Sequence, residues 1–237
     1  MATLRQYIYD VKMLAHRMQI SDDSRLTNRM IAFWIDSQRS MWLKRQENRV
    51  HRKDPQIIQS LGAMPVQIVD ASEAPTDLPV GYSVLRTSRV IPKTVYLDDL
   101  DDGIAWVGSI DRMIKRFSYI PYHRVFYAGN CRYNYDEVFA FRQNNQSDSY
   151  LYIFSNKNNQ ELKFLEYINV RGIFENPRDL KDYKDLKGVT SFTYDSEYPL
   201  NRALWEFMKQ KIIETNFQSL VEMPTDDTND ANYDKED

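Results

Sequence analysis

Tyr150-Leu151-Tyr152-Ile153-Phe154, then Ser155-Asn156-Lys157-Asn158-Asn159, then the run Phe164 to Ile173, reads as strand, turn and strand. Aromatic and branched side chains suit a pleated, packed surface, whereas Ser and Asn satisfy turn backbone with their own side chains. Working outward, Val66-Gln67-Ile68-Val69, Val95-Tyr96-Leu97, Ile104 to Ile110, Arg124 to Tyr127 and Val138 to Arg142 are further β-prone runs. Pro75, Pro79, Gly81 and Pro92 punctuate them, and helical periodicity is lost from Val66 onward. These runs predict a compact antiparallel β region. Asp179 to Lys187 alternates charged and apolar residues ahead of Gly188 and has no clear period.

Helices are expected on either side. Leu4, Tyr7, Val11, Leu14 and Met18 recur at helical spacing within Thr3 to Met18. Ser21-Asp22-Asp23-Ser24 offers N-caps for a second, longer helix carrying Leu26, Met30, Phe33, Trp34 and Met41, which runs to about Asn48. Asp54-Pro55 supplies a cap and a first-turn proline for a short third helix through Leu61, with Gly62 as its stop. Asp195 or Ser196 caps a final helix with Pro199 in its first turn and Leu200, Leu204, Phe207, Met208, Ile212 and Leu220 along one stripe. Pro224 ends it, and Thr225 to Asp237 holds six acidic residues, one Lys and almost nothing apolar, a composition that stays disordered unless bound. The expected fold class is therefore α+β, with N-terminal helices and a long C-terminal helix forming a bundle beside a central antiparallel β domain. The boundaries fall at 1–62, 63–194, 195–223 (a helix packing with the N-terminal ones) and 224–237.

Composition limits the function. The chain has 237 residues, 42% of them hydrophobic, enough for a substantial core. With 31 basic against 34 acidic residues, a net charge of -3 gives no global attraction to nucleic acid. Cys131 is the sole cysteine, so the fold holds without an internal disulfide, as expected for assembly in a reducing cytoplasm. No run approaches the roughly 18 to 20 apolar residues of a membrane span, and the N-terminus reads as an amphipathic helix, so a soluble, unexported protein is expected.

The common catalytic patterns are missing from the sequence. With only 7 glycines, neither the P-loop nor the dinucleotide fingerprint occurs. His16, His51 and His123 lie far apart, without HExxH or CxxC spacing. Cys131 with His123 would need proximity in the fold to act as nucleophile and base, and Cys131 reads more simply as a small buried hydrophobe. Asp98-Asp99 with Asp101-Asp102 can offer oxygens to Ca²⁺ or do acid–base work, but before Gly103 and the Ile104 run they read as a solvated turn. The expectation is a protein that is not an enzyme and needs no metal or cofactor.

Local charge is more informative. Arg39, Lys44, Arg45, Arg49, Arg52 and Lys53 face only Glu47 among acids, a basic strip on a nearly neutral protein. Its bland reading is a solvated helix face, or one pairing with acidic groups such as the C-terminal tail on a neighbouring subunit. Trp34 reads as core, whereas Trp42, Trp205, Phe217 and Leu220 are candidate assembly contacts.

Ser21-Asp22-Asp23-Ser24-Arg25-Leu26-Thr27-Asn28-Arg29 with Ile35-Asp36-Ser37-Gln38-Arg39 resembles the opening of neck proteins in crAss-like and related short-tailed phages. Gln59-Ser60-Leu61-Gly62 and Val170-Arg171-Gly172-Ile173-Phe174-Glu175-Asn176-Pro177 continue the resemblance in the same order. The layout is similar to that of tail-adaptor proteins. That resemblance implies a structural head-to-tail connector, twelve copies in a ring beneath the portal protein, touching other neck or tail proteins and leaving a channel for double-stranded DNA. In such a ring the basic strip would line the channel, replacing counter-ions without reading bases. It also implies a virion location after assembly in the bacterial host cytoplasm. The competing readings are another structural virion component, and an enzyme or nucleic-acid-binding factor.

Overall fold

A computed structural model describes residues 2–15, 26–50, 54–70, 84–97, 102–110, 117–129, 132–145, 148–155 and 162–217, the side chains of 46–50, 144–145 and 217 excepted. Two helices, α1 (Leu4–Ala15) and α2 (Asn28–Val50), lead into strands β1 (Gln59–Ser60), β2 (Met64–Val69), β3 (Val84–Thr87), β4 (Ile104–Ser109) and β5 (Ser118–Tyr119). A 3-10 turn, Tyr122–Tyr127, precedes β6 (Val138–Asn145), β7 (Asp148–Ser155) and β8 (Tyr167–Gly172). A second 3-10 turn, Pro177–Asp182, leads to α3 (Arg202–Ile212) and a closing π turn, Ile213–Phe217.

Among the described residues the strands form one eight-stranded sheet, ordered β1-β8-β2-β3-β7-β6-β5, with β4 on the other side of β8. The sheet curls into a half-barrel. Its β4 and β5 sides approach until the Phe117 amide donates to the Val107 carbonyl at 3.1 Å. It is mixed, because β5 runs parallel to β6 while the other pairs are antiparallel.

This architecture overturns the expected fold class. A curled mixed sheet dominates in place of an antiparallel domain beside a bundle, and α3 spans 11 residues, so no long C-terminal helix completes a bundle. Local differences have local causes. Asp54-Pro55 starts a turn, not a helix, because β8 recruits the next residues: Gln59 and Ser60 pair with Gly172 and Arg171, and the Leu61 amide donates to Val170. Gly62 then reverses the chain at φ +76, where a Cβ would lie 2.6 Å from the Lys184 carbonyl oxygen. Arg124 to Tyr127 is 3-10 helix, and Val95 to Leu97 is extended chain next to a single bridge, Thr94 to Phe174. The cap of α3 is Asn201, whose side chain accepts from the Ala203 amide, so Pro199 lies before the helix.

N-terminal capping is clear in two other places. Thr3 and Gln6 exchange reciprocal side-chain bonds at the start of α1, and Thr27 Oγ1 accepts from the Met30 amide at the start of α2. The Ser21 to Ser24 caps lie outside the described residues.

Period-two alternation places the core on both faces of the sheet. Leu151 and Ile153 of β7 and Ala140 of β6 join the main core with Leu4, Ile35 and Trp205 from the helices. Their neighbours Tyr152, Phe154, Phe139 and Phe141 turn the other way into a second cluster with Val84 and Val125. The 3-10 turn Tyr122–Tyr127 covers that second face through Val125.

Candidate functional site

Helical spacing decides the fate of the basic strip. Ile31, Ile35, Arg39 and Leu43 follow one another at intervals of four on α2, and all are buried, Arg39 at 0% exposure. Arg39 therefore belongs to the interior and not to a charged surface. Its Nε donates to the Pro199 carbonyl and its Nη1 to the Phe174 carbonyl, each at 2.8 Å. Its Nη2 is buried with no hydrogen-bond partner among the described residues. One turn earlier, Asp36 accepts from the Tyr198 hydroxyl and from Arg178 Nε, both at 2.6 Å. Ser40 adds a bond from its hydroxyl to the Glu175 carbonyl. Three consecutive features of the fold, the end of β8, the 3-10 turn Pro177–Asp182 and the approach to α3, are thereby pinned to α2.

Burial sets the electrostatics of this cluster. It raises the Asp36 carboxyl above its usual range, against the downward pull of the Tyr198 hydroxyl, Arg178 and Arg39. It lowers the Arg39 guanidinium, with Tyr198 and Asp36 opposing. Burial would also lower Arg178, but Asp36 and Tyr194 outweigh it and leave that group raised. Tyr198 is pushed well above the phenol value of 10.0, first by burial and then by the Asp36 charge.

An alkaline limit to stability follows. From about pH 10 the unfolded chain releases the Tyr198 proton while the folded chain keeps it, so the unfolded state binds fewer protons and stability falls as pH rises. Burial raises Tyr7 and Tyr183 too, which adds to the slope. In urea titrations from about pH 9 to about pH 11, Tyr198→Phe should show a slope shallower by up to about 1.4 kcal/mol per pH unit. Equal slopes in the two proteins would refute this assignment.

Lys44 and Arg45 are exposed, with the Arg45 guanidinium 5.7 Å from the Trp42 ring centre. The Arg49 side chain, Arg52 and Lys53 lie outside the described residues. Trp205 is buried against Tyr7, with ring centres 4.3 Å apart, which makes it core and not a surface contact. Trp42 is half-buried and stacks on Phe207 at 6.5 Å. The Phe217 side chain, Leu220 and the acidic tail also lie outside the described residues. So do His16, His51, Cys131, Asp98, Asp99 and Asp101. Asp102 accepts from the Ile104 amide and the Tyr119 hydroxyl, holding the turn into β4.

Two grooves open on the surface. One of about 560 Å³ runs beside β1 and is walled by Asp185, Ser191, Ser196 and Glu197 among others, and Asp185 already accepts the Lys187 and Val189 amides. Another of about 590 Å³ lies between Arg89 and Tyr183, where Arg89 donates to the Asp182 carbonyl. Among the described residues no cluster of His, Cys, Asp and Glu could hold a metal ion, and no helix is long and apolar enough to cross a membrane.

Large exposed apolar side chains are spread over several parts of the described residues, Phe164, Leu186 and Val189 among them. Phe33 and Phe207, each 62% exposed, and Met41 lie on the outer surface of α2 and α3. Tyr127 at 77%, Tyr133 at 94%, Phe126 and Tyr135 stand out from the loop between β5 and β6. The sequence reading missed this loop because it assigned Arg124 to Tyr127 to a strand. The available signal was the density of Tyr, Phe and Arg between Tyr122 and Tyr135, the composition of binding surfaces.

Comparison with curated proteins yields no match. The family model described as phage tail ring protein 2, from the crAss phage group, matches residues 6–237, the Asp36–Arg39 cluster included. The chain belongs to the phage tail ring protein 2 family.

Proposed function

We propose that this protein is a non-catalytic structural subunit that closes into a dodecameric ring in the phage neck, between the portal protein and the tail. The observation that carries the reading is the match to a tail ring family over residues 6–237. Identical subunits joined head to tail form a ring when the rotation between neighbours divides a full turn. Work of this kind is geometric. One side of the ring meets the portal, the other meets the next tail component, and the axial hole admits duplex DNA. Lys44 and Arg45, together with Arg49, Arg52 and Lys53, supply cations to the channel wall and replace counter-ions along passing phosphates. Arg39 has no part in that wall.

Native mass measurement with negative-stain imaging tests the proposal, on the purified chain and on neck complexes from particles. Closed rings, alone or on the portal, are the expected result. A chain found only as monomers or small open oligomers in both preparations would overturn it.

A further inference from the structure

Helical phase divides the cations of α2. The positions of Gln38, Trp42, Arg45 and Arg49 follow at steps of four, three and four and form one stripe, whereas Lys44 and Glu47 fall on other sides of the helix. The stripe borders α3: the Trp42 ring stacks on Phe207 at 6.5 Å, and the Arg45 guanidinium lies 5.7 Å from the Trp42 ring centre. Phe207 itself is largely exposed. The nearby acids of the α3 segment are taken, Glu206 by Lys209 at 2.7 Å and Glu214 by Lys211 at 2.6 Å, whereas Arg45 has no ion pair among the described residues. Two side-chain atoms on the stripe, Gln38 Oε1 and Trp42 Nε1, are buried with no hydrogen-bond partner among the described residues. Buried polar atoms are rarely left unpaired, so their partners are to be sought outside those residues.

Residues 218–237 follow directly on the α3 segment, the element already packed against Trp42. From Phe207 to Phe217 the chain advances about 15 Å, and Gln218 to Met223 can span about 20 Å, so the residues from Pro224 onward can return to the stripe. Pro224 to Asp237 carries six acids against one Lys, a net charge of -5, which leaves 30 basic and 28 acidic residues, or +2, on the rest of the chain. Its carboxylates can accept from Trp42 Nε1, its Asn229 and Asn232 amides can donate to Gln38 Oε1, and its Tyr233 offers a ring to Phe207. We propose that Pro224 to Asp237 docks on the Gln38, Trp42, Arg45 and Arg49 stripe of its own chain and occupies these cations in place of nucleic acid phosphates. Tethering raises the segment's local concentration, so a subunit outside the ring is kept from non-specific DNA binding, and the dense charge of a duplex in the channel displaces the segment. The inference rests on the channel reading above and adds to it a competitor for the same cations.

Two experiments on the full chain test it. Arg45→Lys keeps the charge and supplies an amine that a carbodiimide couples to a touching carboxylate. In an equal mixture of isotope-labelled and unlabelled chains, mass spectrometry should find position 45 linked to carboxylates between Asp226 and Asp237, always within one isotope. In the second experiment all six acids are made amides, as Asp226→Asn, Asp227→Asn, Asp230→Asn, Asp234→Asn, Glu236→Gln and Asp237→Asn. This variant should bind random-sequence duplex DNA on the order of tenfold more tightly than the wild type at low salt, and adding Arg45→Gln with Arg49→Gln should return it to the wild-type level. The absence of a link to the segment, or links that join unlike isotopes, would overturn docking within the chain. Equal DNA affinity of wild type and amide variant, or tighter binding that survives Arg45→Gln with Arg49→Gln, would overturn it as well. Rings are scored separately by native mass measurement, so a failed ring reading and a failed docking give different results.

Discussion

Asp36→Ala is expected to lower the unfolding free energy by about 3–5 kcal/mol, the typical cost of breaking a buried ion pair from one side. The reason lies in what Asp36 leaves behind. Arg39 is fully buried, and Asp36 is the nearby carboxylate that offsets its charge. Arg178 would lose its 2.6 Å partner but is partly exposed and can rehydrate, whereas Tyr198 is buried and its hydroxyl would be left with an unmet donor. Set against a typical total of about 5–15 kcal/mol, this loss is a large fraction of the fold's stability. Asp36→Asn should cost less, since an amide oxygen still accepts from Tyr198. Urea denaturation of the three proteins measures this directly, as a shift in midpoint at constant slope. A loss below about 1 kcal/mol for Asp36→Ala would mean that the cluster is incidental to the fold.

The same cluster shows what could be read from the chain and what could not. The run Tyr150 to Phe154 was legible as a strand because aromatic and branched residues on both faces leave few alternatives, and β7 includes it. Val66 to Val69, Ile104 to Ile110 and Val138 to Arg142 were legible for the same reason, although the parallel β5–β6 pairing, the curl and the dominance of the sheet were not. Those depend on partners remote in sequence. The basic strip failed as a unit because charge was counted along the chain without regard to helical phase. Arg39 lies four residues after Ile35 and four before Leu43, which was enough to place it inward. What the sequence could not show were its acceptors, the carbonyls of Phe174 and Pro199, which are 135 and 160 residues away. Arg124 to Tyr127 has strand-like composition, but its Val125 is taken by the second core and the segment closes into a 3-10 turn over it. The aromatic surface was therefore spelled out in the sequence and hidden by a wrong local assignment.

Phe141→Ala removes the centre of the second core and should lower the stability of the whole fold. Phe141 is fully buried, with Tyr152, Phe154 and Tyr122 rings at 5.4, 5.8 and 6.1 Å. Removing the ring should cost about 3–5 kcal/mol, part from lost transfer energy and part from a cavity that a pleated sheet cannot close. Because Tyr122 begins the 3-10 turn and rests on this ring, the turn loses its seat as well. Phe141→Leu fills much of the space and should cost less. Urea denaturation of the wild type and the two variants measures the difference as a shift in midpoint at constant slope. A loss below about 1 kcal/mol for Phe141→Ala would mean that the second core adds little to the fold.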